Sequence, residues 1–403
     1  MNKSSLLFAL SFALVVALSP MATDIYLPAI PEIAQTLGAD IQLIEISIST
    51  YFLGVAAGQL IAAPISDRIG RRPVIIAGLV VFLVGATATI LAVSAEQLLA
   101  LRFLQGLGAG AGAVNVMAAV GDLYDEHDAA RMLATIHIIV LTAPLVAPVI
   151  GALLVSYLPW QSIFAFLSFY ALLVMVGTLR VLPETLQPGD QSPARDSIVR
   201  EIIRDYRHVL SRPRALQFNL AISLSFTCFF IFLTDAAFLY LDYFGLPKLS
   251  FPLLFGANIV MMMLGNRVNV WLLARYRPRH VIPWGHGLQV AAAAALVICT
   301  SQPPISLYVL VPLIMLATSA NTLIVSNSTA RYISLFTSRR AAASAVSGVM
   351  QFLAVGLISI VVGIVHDGTP RTMAAAMLAC AVAAAVFTTL IRRAEQRERS
   401  VIE

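Results

Sequence analysis

Ser66-Asp67-Arg68-Ile69-Gly70-Arg71-Arg72-Pro73 lies between two long apolar runs, 41–64 and 74–93. It packs three arginines and an aspartate into a chain in which only 12% of residues are charged. A short turn this basic between two spans is expected on the cytoplasmic side, because loops rich in Lys and Arg resist translocation. That orientation sets the direction of every other span.

The chain has 403 residues, 59% of them hydrophobic, and a mean hydropathy of +0.87. No single soluble core hides that much apolar surface, so the bilayer is the expected solvent. A spanning helix needs roughly 20 apolar residues, and about a dozen such runs are present. The formal charge of +5 reads as the arginine excess of a polytopic membrane protein. It does not read as a basic patch for nucleic acid. Cys228, Cys299 and Cys380 are an odd number, far apart and inside apolar runs, which argues against a disulfide framework or a zinc site. No metal or other cofactor is expected. Residues 6–18 follow Lys3 as a leader peptide would, but apolar character resumes beyond Asp24, so this run reads as the first span.

The spans fall at about 4–28, 41–64, 73–93, 97–119, 132–156 and 161–182. The second set falls at about 215–240, 250–273, 281–301, 304–328, 343–365 and 370–391. With both termini cytoplasmic, nearly all of the 26 Lys and Arg are expected inside. Lys248 and Arg371 fall on outer loops, and Arg102 falls within a span. The one long hydrophilic stretch, with Gln187, Pro188, Gly189, Asp190, Gln191, Ser192 and Pro193, separates two six-helix halves. The domain reading is therefore 1–182, a cytoplasmic linker at 183–214, and 215–403 with a short cytoplasmic tail. Within the linker, 198–210 has helical spacing and is expected as an amphipathic helix on the membrane surface.

The two halves read as copies. Thr23-Asp24-Ile25-Tyr26 in the first span is echoed by Thr234-Asp235-Ala236 and then Tyr240 in the seventh. Each aspartate lies about 20 residues into its span, in the outer half of the bilayer. The charged turn recurs as Arg275-Tyr276-Arg277-Pro278-Arg279-His280-Val281, with Ala274 where the first copy has Asp67. Repeated bundles with a site at their interface are a transporter arrangement.

Asp24 is the leading functional residue, since a carboxylate inside a span is costly when ionised and usually functional. Burial favours its neutral form, which suits a group that takes up and releases a proton. A wet aspartate near the outer headgroups is the plainer alternative. Arg102 lies about 7 Å deep from the outer end of the fourth span, so it and Asp24 can pair or share a hydrogen-bond network. Gly106, Gly108, Gly110 and Gly112 beyond it make a face for close helix packing. Asp235 is either a second proton or cation site or an outer-cavity polar group. His137 can titrate, but near a helix end it reads as structural. Pro144, Pro148 and Gly151 permit a bend in the fifth span. Some of Asn115, Asn258, Asn321, Asn327 and Gln351 are expected to line a cavity.

These patterns resemble the major facilitator superfamily, and within it the twelve-span drug:proton antiporters of the bicyclomycin and chloramphenicol-resistance kind. The resemblance covers nearly the whole chain. It rests on the charged turn, Arg102-Phe103-Leu104-Gln105-Gly106, Ala143-Pro144 through Gly151, and Thr23 through Pro28. Pro159-Trp160 and Leu182-Pro183-Glu184-Thr185 add to it. It implies an all-α membrane protein whose twelve transmembrane helices form two pseudo-symmetric six-helix bundles, the major facilitator fold. It also implies roles. Asp67, Arg68, Gly70, Arg71 and Arg72 form a conformational latch, and Asp24 is where proton and substrate compete. Arg102 relays or senses the proton, and Tyr26 is a cavity aromatic beside Asp24. Asp235 is carried as a second proton-coupling position, and Asn115 and Asp235 as substrate-binding positions. Ala63 and Ala152 stand where the family pattern has glycine, and Ala147-Pro148 where it has Gly-Pro.

The expected function is proton-coupled multidrug efflux by a monomer in the bacterial inner membrane, acting on small lipophilic compounds and protons. An exporter of an endogenous metabolite such as a siderophore or sugar is the first alternative. A membrane-embedded enzyme or receptor is the second, and no HExxH or GxSxG motif supports it.

Overall fold

Inside hydrocarbon every backbone N–H and C=O must find its partner within its own segment, and long apolar runs therefore fold as helices. A computed structural model describes residues 3–186, 198–302, 304–336 and 340–402, and among them it contains helices and no strands. The first half comprises α1 (Lys3–Asp24), a 3-10 turn (Leu27–Ala29), α2 (Ile30–Leu37), α3 (Ile41–Ile69), α4 (Arg71–Thr89) and α5 (Ala95–Leu123). It continues with α6 (Glu126–Val140), α7 (Ala143–Tyr157) and α8 (Gln161–Val181). After α9 (Ile198–Leu210) come α10 (Pro213–Ala237), a π-helical turn (Phe238–Tyr243) and a 3-10 turn (Lys248–Ser250). The chain ends with α11 (Phe251–Leu273), α12 (Pro278–Ser301), α13 (Leu307–Ser334), α14 (Arg340–Ile364) and α15 (Pro370–Ile402). Among the described residues twelve segments are long and apolar enough to cross a membrane, with α1 plus α2 and α6 plus α7 each forming one interrupted span. The amphipathic α9 is not among them, and it covers the residues whose spacing predicts it.

The chain divides into two compact units, Met1–Arg204 with Pro247–Pro252, and Asp205–Leu246 with Leu253–Glu403. In the first, α5 is the central post, packed on α3 and α4, while α1 rests on α5, α6, α7 and α8. The glycines of α5 explain the closeness. A Cβ on Gly106 would lie 2.0 Å from the Tyr51 carbonyl oxygen, and one on Gly54 2.1 Å from that of Phe103. Backbone therefore lies against backbone, as small residues at a membrane helix interface permit. In the second unit α10 packs on α13, α14 and α15, and α12 on α13 and α15.

Several expectations are corrected. The first span does not stop at residue 28. It runs over Leu7–Leu37, because the prolines at 28 and 31 occupy first-turn positions that a helix tolerates. The charged stretch is hardly a loop. Ser66, Asp67 and Arg68 complete α3, Arg71 begins α4, and Gly70 alone joins them at φ +106°. Arg180 and Arg267 lie inside α8 and α11 rather than in cytoplasmic segments; near a helix end, a long arginine stem can reach the interface. The Pro- and Gly-containing stretch 187–193 lies outside the described residues.

Candidate functional site

Asp24 is the last residue of α1, and the helix breaks immediately after it. The carboxylate is buried and accepts a hydrogen bond from the Thr23 hydroxyl at 2.8 Å. Beyond the break Tyr26 is wholly buried, with its hydroxyl 3.0 Å from that of Ser47 on α3. Gly151 of α7 lies so near that a Cβ there would sit 2.1 Å from the Ile25 carbonyl oxygen. Gly151 thus holds the partner helix against the break. The fifth span, where Pro144 and Pro148 are expected to permit a bend, is interrupted between Val140 and Ala143.

Arg102 of α5 is also wholly buried, but it does not pair with Asp24 among the described residues. Its guanidinium carbon lies 4.8 Å from the Tyr26 ring centre, 4.6 Å from that of Tyr51 and 6.0 Å from that of Phe164. Nη1 donates to Gln105 Oε1 at 2.6 Å, while Nε and Nη2 have no hydrogen-bond partner among the described residues. Aromatic faces stabilise a desolvated cation through their quadrupoles, so three rings take the place expected for a carboxylate. Tyr51 lies within electrostatic reach of both Asp24 and Arg102, and its hydroxyl is near the Ser19 side chain. Asn115, two turns and more beyond Gln105 on α5, donates to Ala111 O at 2.8 Å and leaves Oδ1 unpartnered. Unsatisfied buried groups of this density are exceptional in a finished core and suit a site that takes water or ligand. Gln105 and Phe164 belong to stretches that carry the resemblance but had no role assigned, while Tyr51 and the buried Glu45, whose charge reaches Tyr26, are residues near the site that motif reading does not single out. An acid among the apolar residues of 41–64 was the signal for Glu45.

The charged stretch forms a network within the first unit. Arg71 pairs with Asp67, donates through Nε to Asp122 Oδ2 at 3.0 Å, and donates through Nη1 to Ser66 Oγ at 2.7 Å. Its backbone N–H donates to Glu184 Oε1 at 2.9 Å, which also accepts from the N–H groups of Thr185 and Leu186. Arg72 Nη2 donates to the Leu179 carbonyl. A Cβ on Gly70 would meet the Glu184 carboxylate at 2.3 Å, so glycine is required by space as well as by φ. Arg68 is engaged as well. Asp122 and Glu184 are the unforeseen members.

In the second unit Asp235 lies on α10 just before its π-helical turn, and this repeats the loss of α geometry that follows Asp24. His366, in the segment between α14 and α15, brings Nε2 to 3.2 Å from Asp235 Oδ1, and both side chains are buried. The Phe238 ring stands edge-on to the imidazole with centres 4.5 Å apart. Asn258 accepts from Thr318 and Asn327 donates to Asn269, so these two tie helices together. Gln351 donates to Ser347 one turn back, and Asn321 Oδ1 stays unpartnered. His137 is exposed, with Nδ1 2.8 Å from the Leu133 carbonyl of its own helix. Among the described residues no cluster of His, Cys, Asp and Glu is arranged to hold a metal.

A family model described as the Major Facilitator Superfamily matches residues 12–363. A bicyclomycin resistance protein homolog of Haemophilus influenzae is 31% identical over 268 residues, 66% of this chain and 67% of that one. A chloramphenicol resistance protein of Pseudomonas aeruginosa is 30% identical over 285 residues, 70% of this chain and 65% of that one. The chain thus aligns with about two thirds of the length of these relatives. Among solved structures, a D-xylose-proton symporter superposes with a TM-score of 0.75 over 95% of this chain and 97% of that one. At 13% identity that likeness carries the fold alone.

Proposed function

We propose that this chain, which belongs to the Major Facilitator Superfamily, exports small lipophilic, drug-like compounds in exchange for protons. Membership makes it a multi-pass membrane transporter and not an enzyme. The observation that carries the coupling is a buried carboxylate, Asp24, at the broken end of α1, which accepts a hydrogen bond from the Thr23 hydroxyl. Export of drug-like compounds is supported by relatives bearing bicyclomycin and chloramphenicol resistance in their names.

The mechanism follows from differential affinity. An ionised Asp24 is costly in an apolar site and is relieved either by a proton or by a cationic or hydrogen-bonding substrate. Proton and substrate therefore exclude each other, and each can drive the alternation between two access states only as far as its affinity for them differs. Arg102, held by aromatic faces rather than by an acid, keeps a positive potential that Tyr51 transmits toward Asp24. Asp67, Arg68, Gly70, Arg71 and Arg72 serve as the conformational latch, and Asp235 as a second coupling position. The protein works as a monomer in a bacterial inner membrane, with both termini in the cytoplasm and no cofactor.

Everted vesicles, given a fluorescent lipophilic cation from outside and energised with a proton gradient, test the reading by its uptake into the lumen. Asp24→Asn should abolish proton-driven transport and leave substrate binding measurable. Full coupled transport by that variant would remove Asp24 from the mechanism. Release of one metabolite without any change in drug transport would replace the substrate class.

A further inference from the structure

Between α12 and α15 runs a groove made of two adjoining concavities of about 410 and 330 Å³, which share Val290, Ala385 and Thr389. Its lining changes character along its length. Arg392 and Arg393 stand at one end, both exposed and without an ion-pair partner among the described residues. The neighbouring acid Glu395 is engaged by Arg331. One turn further in lie Thr388 and His286, joined at 2.9 Å between Oγ1 and Nε2. His286 is only 3% exposed, lines the groove, and leaves Nδ1 without a hydrogen-bond partner among the described residues. Beyond that level the walls are alanine and valine as far as Val382 and Ala294, about 15 Å from the arginines at 1.5 Å per residue.

Cationic end, hydrogen-bonding waist and apolar channel match the three levels of a glycerophospholipid. We infer that the groove between α12 and α15 binds an anionic phospholipid, its phosphate at Arg392 and Arg393 and one acyl chain along Val290 and Ala385. In the tautomer in which Thr388 donates to His286 Nε2, the Nδ1–H is a donor for the ester carbonyl at the waist. Basic pockets between transmembrane helices are suited to anionic headgroups, each arginine contributing about 1 kcal/mol near the surface. On the reading that places the basic turns inside, the ligand comes from the cytoplasmic leaflet, where anionic lipid is concentrated.

Native mass spectrometry of the detergent-purified full chain tests this, titrating phosphatidylglycerol against phosphatidylcholine with identical acyl chains. The wild-type protein should retain phosphatidylglycerol in preference. The double variant Arg392→Ala/Arg393→Ala should bind it on the order of 30-fold more weakly, with phosphatidylcholine unaffected. Ala291→Trp, which fills the groove and leaves both arginines in place, should weaken both lipids. Equal retention of the two lipids by wild type would overturn the assignment. So would an equal loss in Arg131→Ala, an exposed arginine elsewhere, or unchanged phosphatidylglycerol binding in Ala291→Trp. Competition by glycerol phosphate at the lipid's own concentration would make this a free-phosphate site and equally defeat it.

Discussion

The guanidinium of Arg102 lies 4.6 Å from the centre of the Tyr51 ring, and Asp24, the acid expected to pair with it or share its hydrogen-bond network, bonds Thr23 instead. A buried cation held by ring faces keeps its net charge, whereas one held by a carboxylate is neutralised. On the proposed coupling, an Asp24 outside any ion pair with Arg102 would exchange a proton without breaking such a pair first.

Tyr51→Leu should therefore destabilise the protein by about 2 kcal/mol through the lost desolvated cation–ring contact. It should also change the pH dependence of transport, because Tyr51 reaches both charges. Thermal unfolding in detergent and a transport pH profile read the two effects. A profile identical to wild type would confine Tyr51 to a structural role.

Gly106 and Gly121 make a matched pair on α5. A Cβ at 106 would run into the Tyr51 carbonyl at 2.0 Å, while nothing lies within 4 Å of position 121. Gly106→Ala is expected to cost about 1–3 kcal/mol by forcing α3 and α5 apart. Gly121→Ala should be neutral or stabilising by up to about 1 kcal/mol from helix propensity. Comparable melting temperatures for the two variants would mean that the α3–α5 contact tolerates separation.

Arg71 joins the end of α3, the end of α5 through Asp122 and the segment after α8 through Glu184. Its side chain is 11% exposed against 26% for Asp122. Groups sharing one network couple by about 0.5–3 kcal/mol. In a double-mutant cycle, Arg71→Met and Asp122→Asn should be strongly non-additive, while Arg72→Met and Asp122→Asn should add. Additivity in both cycles would reduce the network to independent surface pairs.

The spans, the amphipathic α9 and the break in the fifth span were legible because they depend on local pattern: apolar run length, helical spacing, proline. The charged stretch announced itself by composition, yet its partners did not. Asp122 and Glu184 lie 51 and 113 residues from Arg71 in the chain, and only folding brings them there. Reading depth along each span put Asp24 and Arg102 at similar levels, but depth says nothing about angle around the helix axis. That angle put Tyr26, Tyr51 and Phe164 against the guanidinium and turned Asp24 to Thr23. His366 was least visible of all. A lone histidine in a short connection has no spacing signature, and its acid is on α10.

His366 is where pH should act on stability. Burial alone would lower its imidazole pKa, but the hydrogen bond to Asp235 and the charges of Asp235 and Asp367 hold it above the ordinary 6.5. Asp367 itself, little buried, is held below the usual carboxylate value by hydrogen bonds from Thr369 and Thr372, so it stays ionised from pH 6 to 9. Arg371 turns away to the Thr300 carbonyl. A group whose folded pKa is raised contributes its full stabilisation below the unfolded value and loses it as pH climbs through the folded one. Wild type should therefore exceed His366→Gln in melting temperature most clearly near pH 6, and the gap should close toward pH 9. A gap that widens with rising pH would mean that the imidazole is held neutral and that its contact with Asp235 is not an ion pair.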